Sequence, residues 1–400
     1  MISCPKCNSE NLTKNGFGRD NLQHYFCKGC KCDFAPLPEA DEELVRENVR
    51  YKKDRQRFQD SNRIERKAFR EYARLENALS EYNSELIKIL KENQFHKLTK
   101  HHSVASKSAG IFHLSDTHFN ELVQLKFNTY DFNIASQRLQ MYVDISKRMF
   151  KAWGVKNVLF SITGDLLNSD RRLDELLNMA TNRSKATFLV VDLLKSVILD
   201  LQQEFNITVA CVSGNESRVR DEHGFSDLLI TDNYDFTIFN MLKYLFADAK
   251  GVEFHSGHPA EEVIKIAGKN ILMLHGDQNT LNGSVERGVT QLCGKYAAKG
   301  IDIDFVIFGH LHSARIGEYF ARGSSLVGAN AYSEHSLHLV SRASQNIHII
   351  TEQGQIHSMK IDLQDASTYK GYGFDKSLEA YHPKSATKLH SAKTILEIRI

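Results

Sequence analysis

The stretch Gly110-Ile-Phe-His-Leu-Ser-Asp116-Thr-His118 is an apolar run of strand length that stops on a carboxylate and an imidazole. Four later stretches end in the same way. Gly164-Asp165 follows Val-Leu-Phe-Ser-Ile-Thr, Gly214-Asn215 follows Val-Ala-Cys-Val-Ser, His275-Gly276-Asp277 follows Asn-Ile-Leu-Met-Leu, and Gly309-His310-Leu-His312 follows Phe-Val-Ile-Phe. A single Asp or His after a strand says little. Five such endings in order supply carboxylates, imidazoles and an amide, and read as a hard-to-borderline metal site on a sheet edge, suited to Mn, Fe or Zn. Glycines before Asp165, Asn215 and His310 let the backbone turn sharply, so that the next side chain faces the cleft.

Around these motifs, apolar runs of strand length alternate with helical periodicity. Strands are expected at Asn157 to Thr163, Ile207 to Ser213, Asn270 to Leu274 and Phe305 to Phe308, and helices at Ile134 to Trp153 and Leu173 to Phe205. After His312 the pattern is mostly strand-like, at Ser325 to Gly328, His335 to Ser341, Asn346 to Thr351 and Ile356 to Leu363. The tail from about Ala366 carries Tyr, Gly and Lys without a clear period.

The order and spacing of the five motifs resemble those of calcineurin-like metallophosphoesterases, from about Gly110 to Leu363. The resemblance implies an α/β (α+β) fold, a four-layer β-sandwich flanked by helices. It also implies two metals that share an aspartate and hold a hydroxide in line with a phosphorus atom. Carried over by that resemblance, one metal would take Asp116, His118 and His312, the other Asn215, His275 and His310, and Asp165 would bridge them. Mn leads the metal candidates, with Fe, Zn or Mg as alternatives. Two cations roughly 3.5–4 Å apart clamp the attacking and leaving oxygens of an in-line displacement and lower the pKa of water toward ~7. A ligand between two cations must be anionic, which favours Asp165 over a histidine.

The third motif departs from that pattern. Where the family usually reads Gly-Asn-His, this chain reads Gly214-Asn215-Glu216-Ser217-Arg218. The absent histidine is the group thought to help the leaving oxygen depart, so the proton donor falls to Glu216 or His223. Glu216 would serve only if burial or like charge raised its pKa, whereas Arg218 and Arg220 act the other way and offer phosphate contacts. The pattern Asn133-Ile-Ala-x-x-Arg138-Leu139 looks like that of nuclease subunits in double-strand-break repair complexes, which places the likeness closest to the DNA-repair exonucleases. In that subgroup a histidine often follows the Gly-Asp-Leu-Leu stretch; here Asn168 stands there and can donate a hydrogen bond without exchanging a proton. Arg171 and Arg172 are further phosphate-contact candidates.

Ahead of the motifs, five of the seven cysteines lie between Cys4 and Cys32. Cys4-Pro-Lys-Cys7 and Cys27-Lys-Gly-Cys30 are two C-x2-C pairs, each able to supply two thiolates of a tetrahedral zinc site. Cys32 is an extra thiol that competes with Cys30 for the role. A module this small needs the metal's binding free energy to fold. With Lys14, Asn15, Gly16, Arg19, Gln23, His24, Tyr25, Phe26 and Phe34, the segment resembles the zinc ribbon of some insertion-element transposase accessory proteins, which implies contact with nucleic acid. Cys211 and Cys293 read as buried core thiols.

From Leu37 to His102 the chain is charged and helix-favouring, opening at Pro38 and an acidic run at Asp41, Glu42 and Glu43. Arginines and lysines between Arg46 and Arg74 interleave with Tyr51, Phe58, Phe69 and Tyr72, a pattern open to either a solvated face or nucleic-acid contact. Ala68, Tyr72, Leu75, Leu79, Tyr82, Leu86 and Ile89 form one stripe of coiled-coil spacing, open to a homodimer through the helix around 68–89, a helical hairpin or packing on the catalytic domain, with the homodimer preferred. The expected organisation is a ribbon at 1–36, a helical segment at 37–102, a catalytic domain at 108–365 and an arm at 366–400.

A net charge of +2 gives no global basic field, so any nucleic-acid partner must be recognised locally. No apolar run approaches the ~18 residues of a membrane span, and no basic stretch leads an apolar one at the start, so no membrane partner and a cytoplasmic location are expected. The leading functional expectation is a metal-dependent phosphodiesterase acting on nucleic acid, DNA ahead of RNA, as an exo- or endonuclease. The alternatives are a Ser/Thr protein phosphatase or small-substrate phosphoesterase, and an inactive nucleic-acid-binding scaffold.

Overall fold

The computed structural model describes residues 2–19, 21–36, 47, 49–64, 66–67, 108–220, 230–277, 281, 284–335 and 341–374. His223, the stripe at 68–89 and the tail beyond 374 lie outside them. The chain divides into two compact units, Met1–Asn83 and Ser84–Ile400.

In the N-terminal unit, strand β1 (Leu12–Phe17) pairs antiparallel with β2 (Gln23–Cys27), and β2 pairs with β3 (Asp33–Phe34). Each C-x2-C pair is followed by a left-handed residue, Asn8 with φ 56° and Lys31 with φ 58°, which tightens the turn carrying the two thiols. The helix at 49–64 is exposed on nearly every residue.

In the second unit, two sheets pack face to face. The larger runs β16 (Ile356–Asp362), β15 (Ser344–Ile350), β4 (Ala109–Leu114), β7 (Asn157–Ile162), β8 (Asn206–Cys211) and β9 (Val252–His255). The smaller runs β10 (Glu261–Ile266), β11 (Lys269–Leu274), β12 (Phe305–Phe308), β14 (Phe320–Arg322) and β13 (Arg315–Ile316). A separate small ladder pairs β5 (Val123–Gln124) with β6 (Thr129–Tyr130).

Alternation along the strands builds the layers. Ile111, Leu159 and Ala210 of the larger sheet meet Ile271, Met273, Phe305 and Ile307 of the smaller one. The intervening Phe112, Leu114, Phe160 and Val209 pack instead against helices Phe132–Ala152, Arg183–Gln202 and Tyr234–Leu245. On the opposite side Leu272, Leu274, Val306 and Phe308 pack against helix Val285–Ala297. The result is a helix–sheet–sheet–helix sandwich, as expected. The strands carrying the five motifs are parallel within each sheet, β4, β7 and β8 in one and β11 and β12 in the other, so all five motifs leave from carboxyl ends.

Two expected elements differ. The single helix from Leu173 to Phe205 is two, Leu173–Leu177 and Arg183–Gln202, because the intervening chain pairs with Asn120–Leu122. Leu122 N donates to Asn178 O, Ala180 N donates to Asn120 O, and Asn182 then caps the second helix. The stretch Ser325 to Gly328 is a buried loop rather than a strand. Leu326 and Val327 are apolar and enclosed, but their carbonyls accept from the Arg138 guanidinium rather than from a neighbouring strand. Likewise His335 closes a short helix, Ala331–His335, and residues 336–340 are not described.

The start of the C-terminal arm docks on helix Phe132–Ala152. Ser136 Oγ donates to Tyr372 O, and the Tyr369 hydroxyl donates to Asp144. Cys211 and Cys293 are partly exposed rather than fully buried.

Candidate metal centre

The strand ends converge into two ligand groups, Asp116 with His118 and His312, and Asp165 with His275 and His310; within each, the donor atoms lie within 4.8 Å of one another. Asn215 joins the second group, its Oδ1 2.9 Å from His275 Nε2. All seven residues assigned to the centre from sequence are therefore brought together as two groups. Asp116, His118, Asp165 and His275 are buried, while His312 and His310 reach the surface in part.

The backbone accommodates these side chains in an unusual way. Among the described residues nine non-glycine positions have positive φ, and five are Asp116 (48°), His118 (40°), Asp165 (55°), His310 (73°) and His312 (50°). Left-handed backbone is sparsely populated away from glycine, though Asp and His tolerate it better than most residues. Of the three glycines expected to turn the chain, Gly164 does so with φ 93°. Gly214 and Gly309 serve another purpose. A Cβ on Gly214 would lie 2.5 Å from Asp165 N and 2.6 Å from Asp165 Cγ, and one on Gly309 would overlap Ser115 Oγ and Asp116 Oδ2. Both keep space clear for the aspartates.

Charge and hydrogen bonding prepare the groups for a cation. Thr163 O lies 2.8 Å from His275 Nδ1, and a carbonyl can only accept, so Nδ1 carries a hydrogen. His275 Nε2 then faces Asp165 Oδ2 at 3.0 Å and Asn215 Oδ1, two acceptor oxygens. Positive charge is needed there, from a proton or a metal. Without metal the proton supplies it: burial opposes charging of His275, but the Asp165 carboxylate outweighs burial and raises its pKa well above the ordinary value. Burial likewise pushes Asp165 up, and His275 and His118 together overcome it and hold the carboxyl low.

Asp116 is raised to about 6 by burial, with His275 opposing and Asp165 reinforcing the shift. Burial, aided by the positive His275, lowers His310 to about 4, and burial aided by His118 lowers His312 to about 3. His118 and His312 approach Nε2 to Nε2 at 3.1 Å, and His118 Nδ1 is buried without a hydrogen-bond partner. The neutral His310 and His312, the anionic Asp165 and the closely opposed Nε2 atoms of His118 and His312 fit a divalent cation in each group.

Around the altered third motif the charges are paired internally. Glu216 accepts from Asn215 Nδ2 at 2.6 Å and pairs with Arg171 at 3.4 Å, while its own N–H donates to Asp165 Oδ1 at 2.8 Å. Arg218 pairs with Asp277 at 2.6 Å, Arg220 with Asp232 and Arg172 with Glu175. Asn168 is buried, its N–H donating to Asn120 Oδ1. Arg138 lies deep in the fold, where it holds the Leu326–Val327 carbonyls and Asn128 Oδ1. Sequence reading missed Asp235, a buried carboxylate behind the centre. Its signal was only a helix start, Asn233-Tyr-Asp235, some distance past the third motif.

In the N-terminal unit, Cys4, Cys7, Cys27 and Cys30 form a third group. Cys4 Sγ is 3.4 Å from Cys30 Sγ, and Cys7 Sγ is 3.5 Å from Cys27 Sγ. The Cys30 N–H draws Cys27 down to about 6, while the neighbouring Cys7 thiol pushes Cys30 up to about 12. Cys32 turns away toward Asp33 O, which leaves Cys30 as the fourth member of the group.

The chain matches no protein-family model and no curated protein. Among solved structures it is similar to a conserved uncharacterized protein, a predicted phosphoesterase, from Streptococcus pneumoniae TIGR4, at 13% identity and a TM-score of 0.27 over 64% of this chain and 98% of that one. Vps29 of Entamoeba histolytica, complexed with zinc, is similar at 16% identity and a TM-score of 0.28, covering 64% and 99%. A 5'-nucleotidase of Candida albicans SC5314 is similar at 10% identity and a TM-score of 0.28, covering 70% and 54%. Among the described residues no helix is long and apolar enough to cross a membrane.

Proposed function

We propose that the chain is a two-metal phosphodiesterase of the calcineurin-like class that hydrolyses nucleic acid, with Mn as the first candidate metal and zinc in the ribbon. The supporting observation is the convergence of two His/Asp groups around Asp165, each with donor atoms within 4.8 Å. Asp116, His118 and His312 would hold one ion and His275, His310 and Asn215 the other, with the Asp165 carboxylate shared. When bound, such a pair supplies Lewis acidity that polarises phosphoryl oxygens and activates water.

The chain's own groups orient that chemistry. Thr163 O fixes the His275 tautomer, leaving Nε2 toward the cleft. Glu216 accepts from Asn215 Nδ2, which turns the amide oxygen of Asn215 toward the second group. The Arg171 contact holds Glu216 in this orienting role.

Nucleic acid is favoured over a small ester by the N-terminal unit. Phe17 on β1 is 72% exposed, with Lys14 and Arg19 exposed nearby in the chain. The helix at 49–64 presents Arg50, Lys52, Lys53, Arg55, Arg57 and Arg63 with exposed Tyr51 and Phe58. Cations supply phosphate contact and aromatic faces supply base stacking.

The test is hydrolysis, with Mn, Mg or Zn, of single- and double-stranded DNA, RNA, a bis-aryl phosphodiester and an aryl phosphomonoester, beside Asp165→Ala. The expected result is metal-dependent cleavage of polynucleotide that Asp165→Ala abolishes. Monoester hydrolysis with every polynucleotide intact overturns the nuclease reading, and equal activity in Asp165→Ala overturns the metal centre.

A further inference from the structure

The centre takes ligands from two loops that no sheet ladder joins. Strands β7 and β8 are paired up to Ile162 and Cys211, and the last backbone bond of the ladder runs from Val212 N to Ile162 O. Beyond it, Gly164-Asp165-Leu166 leaves one strand and Gly214-Asn215-Glu216 leaves the other. Their amides are buried and need acceptors.

One carboxylate serves three of them. Asp235, fully buried in the first turn of helix Tyr234–Leu245, accepts from Asp165 N at 2.9 Å and Gly214 N at 2.8 Å through Oδ2, and from Leu166 N at 2.9 Å through Oδ1. Ser217 Oγ ties the same two loops by accepting from Leu167 N and donating to Leu167 O. Two residues earlier Asn233, also buried, donates from Nδ2 to Gly214 O at 2.9 Å while its Oδ1 caps the helix at Asp235 N. The Gly214 peptide is thus held on its N–H and its carbonyl by two side chains of one helix start.

We infer that Asp235, assisted by Asn233, is the positioning residue that sets the separation of the Asp165 and Asn215 ligands, so that the cleft is shaped to take its metal pair. The inference rests on the metal reading above. Asp235 touches neither substrate nor metal-facing atoms; it acts through the backbone of the ligand loops. Asparagine at 235 has the same shape but one oxygen, and its amide nitrogen would meet an N–H donor. At least one loop amide then loses its acceptor. Groups that orient metal ligands typically change metal affinity 10- to 100-fold when removed.

The experiment measures Mn(II) binding to the full-length chain by equilibrium dialysis, with zinc content per chain followed as an internal control for the ribbon. Wild type, Asp235→Asn, Asn233→Asp and Leu242→Ala are compared, each verified as folded by near-UV circular dichroism. Asn233→Asp keeps the helix cap but turns the donor to Gly214 O into an opposing carboxylate oxygen, so it breaks the loop contact should Asp235→Asn fail to fold. Leu242→Ala removes core packing from the same helix without touching either loop.

The expected result is Mn affinity weakened 10- to 100-fold in Asp235→Asn and about tenfold in Asn233→Asp, with ribbon zinc unchanged and Leu242→Ala close to wild type. Folded Asp235→Asn that binds Mn within threefold of wild type overturns the inference alone; if that variant does not fold, unchanged affinity in Asn233→Asp does so. Equal loss in Leu242→Ala also overturns it, by assigning the effect to general destabilisation. A wild-type chain that takes up no Mn at the strand-end groups overturns the metal reading together with this inference.

Discussion

Two glycine-to-alanine substitutions are expected to act in opposite directions. At Gly214 the added methyl would sit 2.5 Å from Asp165 N, backbone held by Asp235, and 2.6 Å from Asp165 Cγ, a side chain held by Glu216 N and His275, so neither can readily swing aside. Overpacking costs about 1–3 kcal/mol where neighbours can yield. Displacing the loop also weakens the Gly214 N–H bond to a charged acceptor, worth about 1.5–3 kcal/mol. Gly214→Ala should therefore lose about 3–5 kcal/mol, a fall of roughly 10 °C in Tm for a unit of this size. At Gly294, exposed inside helix Val285–Ala297, an added Cβ meets nothing within 4 Å. There the lower backbone entropy of alanine in the unfolded chain should stabilise by about 0.5–1 kcal/mol. Both variants would be followed by thermal unfolding of metal-free protein. A Gly214→Ala protein melting within 2 °C of wild type, on the scale of the same relation, would show that the loops are not locked and refute the packing argument.

Burial lowers His113 to about 3, and burial with His113 beside it lowers His348 well below its ordinary value. The unfolded chain binds these protons first, so stability is fully present above about pH 6.5 and is lost progressively as pH falls from there toward 3. His113 alone should remove about 2 kcal/mol between pH 7.5 and pH 5, read from urea midpoints; an unchanged pH slope in His113→Gln would contradict this. Replacing Cys4 and Cys27 together by serine should release zinc from the ribbon while Mn binding at the strand-end groups persists, and full zinc content in that protein would refute the four-cysteine site. Lowering pH should also weaken Mn binding, because protons on His275 compete for the face turned toward Asp165 and Asn215; pH-independent affinity would count against the His275 assignment.

The sandwich and the convergence of the seven candidate ligands were legible because each of these residues follows an apolar run whose alternation specifies a strand, and strand ends are local features. Phe305–Phe308 is the plainest example, with Gly309 and His310 directly after it. The break at 178–182 was not legible: its residues leave the helix to bond Asn120 and Leu122, partners far away in sequence. Leu326 and Val327 misled as a strand because a buried loop held by Arg138 has the same apolar composition. Asp235 was invisible for a similar reason, since a helix-start aspartate looks the same whether it caps its own helix or holds two distant loops. The choice between Cys30 and Cys32 also needed three dimensions, because spacing admits either.

The left-handed backbone at Asp116, His118, Asp165, His310 and His312 bears on how the chain could change over generations. Each costs up to about 1–2 kcal/mol in local conformational energy, a load that contacts such as the Glu216 N–H to Asp165 bond must offset. Glycine at His310 or His312 would relax the loop in the empty protein, whereas glycine at Asp165 would also strip His275 and the Glu216 N–H of their buried partner. A lineage that had stopped using the centre would drift toward the histidine replacements by selection for stability alone, so an abandoned hydrolase should shed those two ligands early.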